Sequence, residues 1–228
     1  MTAAVLARCL NVTRTFGTGL GSVVAVHDIT CEISAGLRLA ITGPSGSGKS
    51  TLLHLIAGLD EPTTGTVSWP AFGDRASLRP GPVAVVFQGP SLLPPLDVAE
   101  NVALPLLLAG AREDEARSGA AAALERLALA ALAPKLPEEL SGGQAQRVAV
   151  ARALVGSPRL ILADEPTGQL DHASASEVVD ALLETAGHLG AALVVTTHDP
   201  AVAAKLDVVW VMADGALVNH RGSLSCSV

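Results

Sequence analysis

Gly43-Pro44-Ser45-Gly46-Ser47-Gly48-Lys49-Ser50 stands between an apolar, β-branched run over residues 37–42 and an amphipathic run over 49–57, so it reads as a loop that leaves a strand and opens a helix. Glycines at this spacing let the backbone curl until successive N–H groups face inward, and the helix start behind them adds its positive end. Together they form an anion nest whose natural occupant is a triphosphate. In this reading Lys49 reaches the β- and γ-phosphates and the Ser50 hydroxyl helps to hold Mg²⁺. The blander alternative, a Gly-Ser turn with an incidental lysine, is disfavoured by the strand before it and the helix after it.

Working outward, short β-branched runs over 23–33, 37–42, 83–87, 160–163, 192–196 and 208–212 alternate with longer helical patterns. That alternation predicts an α/β fold with a mostly parallel sheet and helices on its faces. Most of these runs are almost continuously apolar, as expected for strands covered on both sides. The ends, 3–11 and 215–220, read as further strands, and 221–228 as a loose tail. Between 98 and 132 the pattern changes to Ala- and Leu-rich helix, 98–109 and 113–132, with Gly119 inside the second at a cost of about 1 kcal/mol relative to Ala. The expected organisation is a single domain over 1–228, with a catalytic core from 1–90 and 157–220 and a helical subdomain over about 91–156.

Composition narrows the function classes. A net charge of −7 gives no broad basic surface for neutralising nucleic-acid phosphates. The apolar runs fall short of the roughly 18 residues that would indicate a membrane span. Residues 1–10 lack the basic and apolar blocks of a secretory signal, so a cytoplasmic location is expected. Cys9, Cys31 and Cys226 are too few and too scattered for a disulfide framework or a zinc site.

Two more segments carry chemistry. Leu160-Ile161-Leu162-Ala163-Asp164-Glu165 is an apolar strand ending in adjacent carboxylates, which on an extended strand end point in different directions. Asp164 can then take the metal while Glu165 faces an attacking water. Leu140-Ser141-Gly142-Gly143-Gln144 precedes an amphipathic run over 145–154, with Ser141 placed as an N-cap and two glycines exposing amides. This is a second anion site. Because the first loop already serves one γ-phosphate, the second predicts a nucleotide held by another copy; an ordinary capped helix is the alternative.

These motifs, in this order, resemble the nucleotide-binding subunit of ABC transporters over nearly the full length of the chain. Gly43, Pro44, Ser45, Gly46, Ser47, Gly48, Lys49, Ser50 and Thr51 resemble the Walker A segment, Gln88 the Q-loop, and residues 140–154 the signature stretch with Ser141, Gly142, Gly143 and Gln144. Residues 160–165 resemble Walker B with its catalytic glutamate, Gly168-Gln169-Leu170-Asp171 the D-loop, and Thr197-His198-Asp199 the switch histidine. The resemblance implies a P-loop NTPase of ABC type, with a mostly parallel central sheet, flanking helices, an N-terminal antiparallel β portion and a helical subdomain. It implies ATP and Mg²⁺, catalytic roles for Glu165, His198, Gln88 and Lys49, and a metal held by Ser50, Gln88 and Asp164. Asp171 and the signature residues would contact nucleotide. Phe16 is the aromatic that would stack on adenine, where the family more often has Tyr; a core position is the alternative in a chain with three Phe and no Tyr.

The implied partners are a second copy of the chain or a homologous ATPase subunit, joined head to tail, and separate transmembrane permease subunits, with no nucleic acid. The chain would then be peripheral on the inner face of the cell membrane, docked beside Gln88 through residues 92–96. Residues 59–65 and 100–106 look most like the lipoprotein-release, macrolide-export and cell-division branch. The competing function is a mechanical or regulatory ABC ATPase that acts on a membrane partner and moves no solute. Relatives that organise DNA insert a long coiled coil, whereas only 52 residues separate Gln88 from Ser141 here. Departures from the family pattern are the missing acidic residue after Gly36 and a short passage over 69–82.

Overall fold

Residues 3–221 are described by a computed structural model. In chain order the elements are β1 (Val5–Phe16), β2 (Val23–Ser34), β3 (Arg38–Thr42), α1 (Lys49–Ile56), β4 (Thr64–Ser68), β5 (Val83–Val86), α2 (Val98–Leu108), α3 (Glu113–Arg126), α4 (Gly142–Leu154), β6 (Leu160–Asp164), α5 (His172–Leu189), β7 (Ala192–Thr197), α6 (Pro200–Ala203), β8 (Val208–Ala213) and β9 (Ala216–Arg221). They build a six-stranded sheet in the order β5-β6-β7-β3-β8-β9, parallel except for β9, and a three-stranded antiparallel sheet in the order β2-β1-β4. The run over 23–33 therefore lies in the smaller sheet and not among the parallel strands.

Side-chain alternation along the parallel strands divides the core into two layers. Leu39 and Ile41, Leu160 and Leu162, and Ala192 and Val194 join α1 and the three-stranded sheet on one face. Ala40, Ile161, Ala163, Leu193 and Val195 meet α5 and α6 on the other. Both faces being covered explains the unbroken apolar runs. The same parity places Asp164 and Thr196 on the α1 side, since each continues an even-numbered series. A third cluster packs α2, α3 and α4 together through Val98, Val102, Ala120, Leu124 and Val148.

The helix expected over 113–132 stops at Arg126, because Ala128 takes a left-handed conformation (φ 54°) and the chain resumes as a 3-10 turn over Ala130–Leu132. Nothing in that Ala- and Leu-rich run signals the break. Gly119 leaves α3 intact: a Cβ there would lie 2.6 Å from Leu106 Cδ1, so the glycine admits close approach of α2. Three elements were not marked in the sequence: β4, α5 and the four-residue α6. β4 is short, polar and Gly-containing, and α5 follows the D-loop residues without a break that separates them. β1 extends five residues beyond the expected 3–11, to Phe16. Arg221 ends β9, and the rest of the expected tail, including Cys226, lies outside the described residues. Among the described residues no helix is long and apolar enough to cross a membrane.

Candidate nucleotide site

β3, β6 and β7 end in line, with Thr42 paired to Thr197 and Asp164 to Thr196. The loop after β3 therefore opens at the carboxyl edge of the sheet, the edge at which open α/β folds bind ligands. Its path requires glycine at both ends. A Cβ on Gly43 (φ 149°) would lie 2.2 Å from the Met212 carbonyl oxygen, and one on Gly48 (φ 96°) would lie 2.1 Å from that of Ala25. Gly48 caps α1 without a side chain, so no capping group competes for the amides of the first turn.

Lys49 is buried, and its ammonium donates to the carbonyls of Gly43 and Pro44, each at 3.0 Å. Its Nζ lies 3.6 Å from Glu165 Oε1. The Ser50 hydroxyl donates to Asp164 Oδ1 at 2.8 Å, and the Thr196 hydroxyl donates to the same oxygen at 2.6 Å. Thr196 also accepts from the Glu165 backbone N–H at 2.9 Å, and so ties the two acidic residues together. His198 Nδ1 stands 3.3 Å from Glu165 Oε2.

The two carboxylates diverge for a reason that strand alternation does not supply. β6 ends at Asp164, and Glu165 turns into the left-handed region (φ 41°), an arrangement that costs a non-glycine residue about 1–3 kcal/mol. The turn closes through the Gly168 N–H donating to the Glu165 carbonyl at 3.1 Å. It leaves Asp164 facing α1 and sets Glu165 between Lys49 and His198.

A depression of about 450 Å³ gathers Ser45, Gly46, Gly48, Lys49, Ser50 and Thr51 with Gln88 and Glu165. Gln88 is exposed, and a Cβ on Gly168 would come within 3.2 Å of its Nε2. Ser47 is buried beneath the loop, with its Oγ left without a hydrogen bond. A smaller hollow of about 180 Å³ joins Glu165 to His198 and Gly168. Phe16 lies on the surface and not in the core. It pairs with Val23, two residues before Ala25, and the Arg14 guanidinium covers its ring at 4.5 Å from the centroid.

The remaining motif residues form a second group. Ser141 caps α4 by accepting from the Gln144 N–H at 3.3 Å, while the Gln144 side chain accepts from the Ser141 N–H at 3.0 Å. A Cβ on Gly143 would lie 2.9 Å from Ser174 Oγ, and that hydroxyl donates to Asp171 Oδ2 at 2.8 Å. Asp171 caps α5, and the backbone and side-chain bonds from Ser174 hold its carboxyl below the usual range. Ser141, Gly142, Gly143, Gln144 and Asp171 do not line the depression around Lys49.

Sequence reasoning did not single out Thr196 or His54. Thr196 has a signal, a hydroxyl where an apolar strand runs into Thr197 and His198. His54 has another: it follows Ser50 by four residues and so shares its helix face. The structure places His54 Nε2 3.5 Å from Asp164 Oδ2.

Comparison with known proteins accords with this geometry. The family model described as ABC transporter matches residues 26–168. The lipoprotein-releasing system ATP-binding protein LolD of Legionella pneumophila (strain Lens) is 44% identical over 211 residues, covering 90% of this chain and 93% of that protein. Among solved structures, the ATP-binding cassette MJ0796 in a dimeric post-hydrolysis state bound to ADP and Pi has 36% identity and a TM-score of 0.86, over 95% of this chain and 98% of that one. The protein cbiO1 from Clostridium perfringens, part of the transporter complex cbiONQ, has 30% identity and a TM-score of 0.83, over 95% and 88%. The chain thus belongs to the ABC transporter family, as one of its ATP-binding and ATP-hydrolysing subunits.

Proposed function

We propose that the chain binds MgATP at the loop after β3, closes on it head to tail with a second copy or a homologous subunit, and drives transmembrane permease subunits from the inner face of the cell membrane. The observation that carries this reading is the convergence of Lys49, Ser50, Asp164 and Glu165 on the mouth of the loop. Lys49 and the loop amides bind the β- and γ-phosphates. The Ser50 hydroxyl and the Asp164 carboxylate are oxygen donors of the kind that Mg²⁺ takes beside substrate phosphates and water, so the residues fit that ion. Bound there, Mg²⁺ neutralises charge on the phosphate oxygens. Gln88 reaches the same mouth. Glu165 accepts the proton of the attacking water, and His198, beside it, contacts the γ-phosphate. Phe16 stacks on adenine with the face that Arg14 leaves open.

Ser141 to Gln144 and Asp171 complete the site of the opposite chain, in keeping with their separation from the loop of their own. The dimeric MJ0796 cassette supports this arrangement. The core over 1–90 and 157–220 and the helical portion over about 91–156 then move as parts of one domain. Work comes from the closed pair's preference for ATP over ADP, since a ligand shifts an equilibrium only by its differential affinity.

The permease docks in an apolar groove of about 630 Å³ beside the edge strand β5, where Val85, Phe87, Leu104, Leu108 and Arg152 meet. The segment over 92–96, taken from sequence as the docking surface, does not line this groove. Buried Asn101 ties it down, donating to the carbonyls of Leu93 and Leu96 and accepting from the Leu93 N–H. Similarity to LolD favours the lipoprotein-release branch. Lys49→Ala tests the nucleotide site: removing charged hydrogen bonds of about 1.5–3 kcal/mol should weaken ATP by roughly 10- to 100-fold in equilibrium binding. Unchanged affinity would take Lys49 off the phosphates.

A further inference from the structure

His54 is unaccounted for by the roles above. It lies on α1, four residues after Ser50, so the two side chains stand one above the other on the face turned to β6. Between them they address both oxygens of Asp164: Ser50 donates to Oδ1 at 2.8 Å, and His54 Nε2 stands 3.5 Å from Oδ2. Thr196 adds a second donor on Oδ1. The Nε2 atom is buried and has no hydrogen-bond partner, although the rest of the ring is half exposed beside Phe87, with 6.2 Å between ring centroids. A buried ring nitrogen aimed at a carboxylate oxygen, a few tenths of an ångström beyond hydrogen-bond range, is completed by a small shift of either group.

We propose that His54 is a positioning residue for the metal-binding carboxylate: with its proton on Nε2 it holds Asp164 Oδ2, fixing the plane of the carboxylate when the Ser50 hydroxyl is drawn to the cation. This rests on the reading that Ser50 and Asp164 hold Mg²⁺. The physical reason is that Ser50 serves two masters. In the present structure it orients Asp164, and a hydroxyl engaged with a cation no longer points its proton at that carboxylate in the same way. A donor on the same helix face, one turn on, keeps the orientation. Groups that hydrogen-bond metal-binding carboxylates typically change metal affinity or activity by about 10- to 100-fold when removed.

The test is an Mn²⁺ titration, followed by electron paramagnetic resonance, of the chain in excess over a non-hydrolysable ATP analogue. His54→Leu should weaken Mn²⁺ by about 10-fold or more, while affinity for the analogue in chelator stays at the parent's value. His54→Gln, whose amide N–H reaches the position of Nε2, should retain the parent's Mn²⁺ affinity. The ¹⁵N spectrum of the parent imidazole should show the proton on Nε2, a readout that stands even where His54→Leu fails to fold. The proposal is overturned by parent-like Mn²⁺ affinity in His54→Leu, by His54→Gln as weak as His54→Leu, by an equal loss of analogue affinity in chelator, or by an unprotonated Nε2. Ser50→Ala and Asp164→Asn serve as controls. If neither weakens Mn²⁺, the metal reading itself fails; if both do and His54→Leu does not, only the role of His54 falls.

Discussion

The start of α1 and the start of α4 are both glycine-rich helix N-termini, yet they are built oppositely. α1 begins at Gly48, which has no side chain to cap it, and its first two residues, buried Lys49 and exposed Ser50, stand against two carboxylates. α4 begins at Ser141, whose hydroxyl and whose partner Gln144 close a reciprocal box on the surface. A loop with uncapped amides beside a buried lysine is organised to surround an anion by itself. A capped helix start with Gly142 exposed and Gly143 half-buried against Ser174 suits presenting amides to an anion that something else already holds. On the proposed reading, one chain carries one assembled half of a nucleotide site and one presenting half.

Substitutions at the two starts should therefore fail in different ways. The largest effect belongs to Glu165→Gln, beside the α1 start: turnover should fall by roughly 10²- to 10⁴-fold, the usual worth of general-base assistance, with ATP binding kept. Steady-state hydrolysis and equilibrium binding measured together check this, and near-normal turnover removes Glu165 from the base role. Gly48→Ala comes next. At φ 96° and 2.1 Å from the Ala25 carbonyl oxygen the new methyl group has no room. With strain of about 1–3 kcal/mol, a 5- to 100-fold loss of ATP affinity is expected, read by calorimetry. Retained affinity would mean that the loop need not keep this path. The smallest effect is at α4. Ser141→Ala removes the cap and should cost about 1 kcal/mol in denaturant unfolding, without weakening ATP binding by the monomer. A matching loss of monomer affinity would merge the two regions into one site.

The parallel sheet and the loop before Lys49 were legible in the sequence because both rest on local pattern. Continuous apolar runs mark strands buried on both faces, and the glycine spacing before Lys49 marks the loop. Asp164 and Glu165 were legible as a pair, but the source of their divergence was not, since the left-handed turn at Glu165 is held by Thr196 and Gly168 from outside the strand. The break at Ala128 was hidden because it falls in a run whose residues all favour helix. The short strand β4 was hidden because its Thr, Gly and Ser residues carry no apolar run; it exists through pairing with β1. His54 carried a local signal in its spacing from Ser50, but what it faces did not show in the sequence, because that depends on how α1 packs against β6.

The central claim is that Ser141 of one chain completes the site around Lys49 of another. Sedimentation of Glu165→Gln with ATP, beside Glu165→Gln/Ser141→Arg under the same conditions, tests it most directly. The account predicts an ATP-dependent dimer for the first and a monomer that still binds ATP for the second. A Ser141→Arg chain that dimerises with ATP as readily as its parent would contradict it.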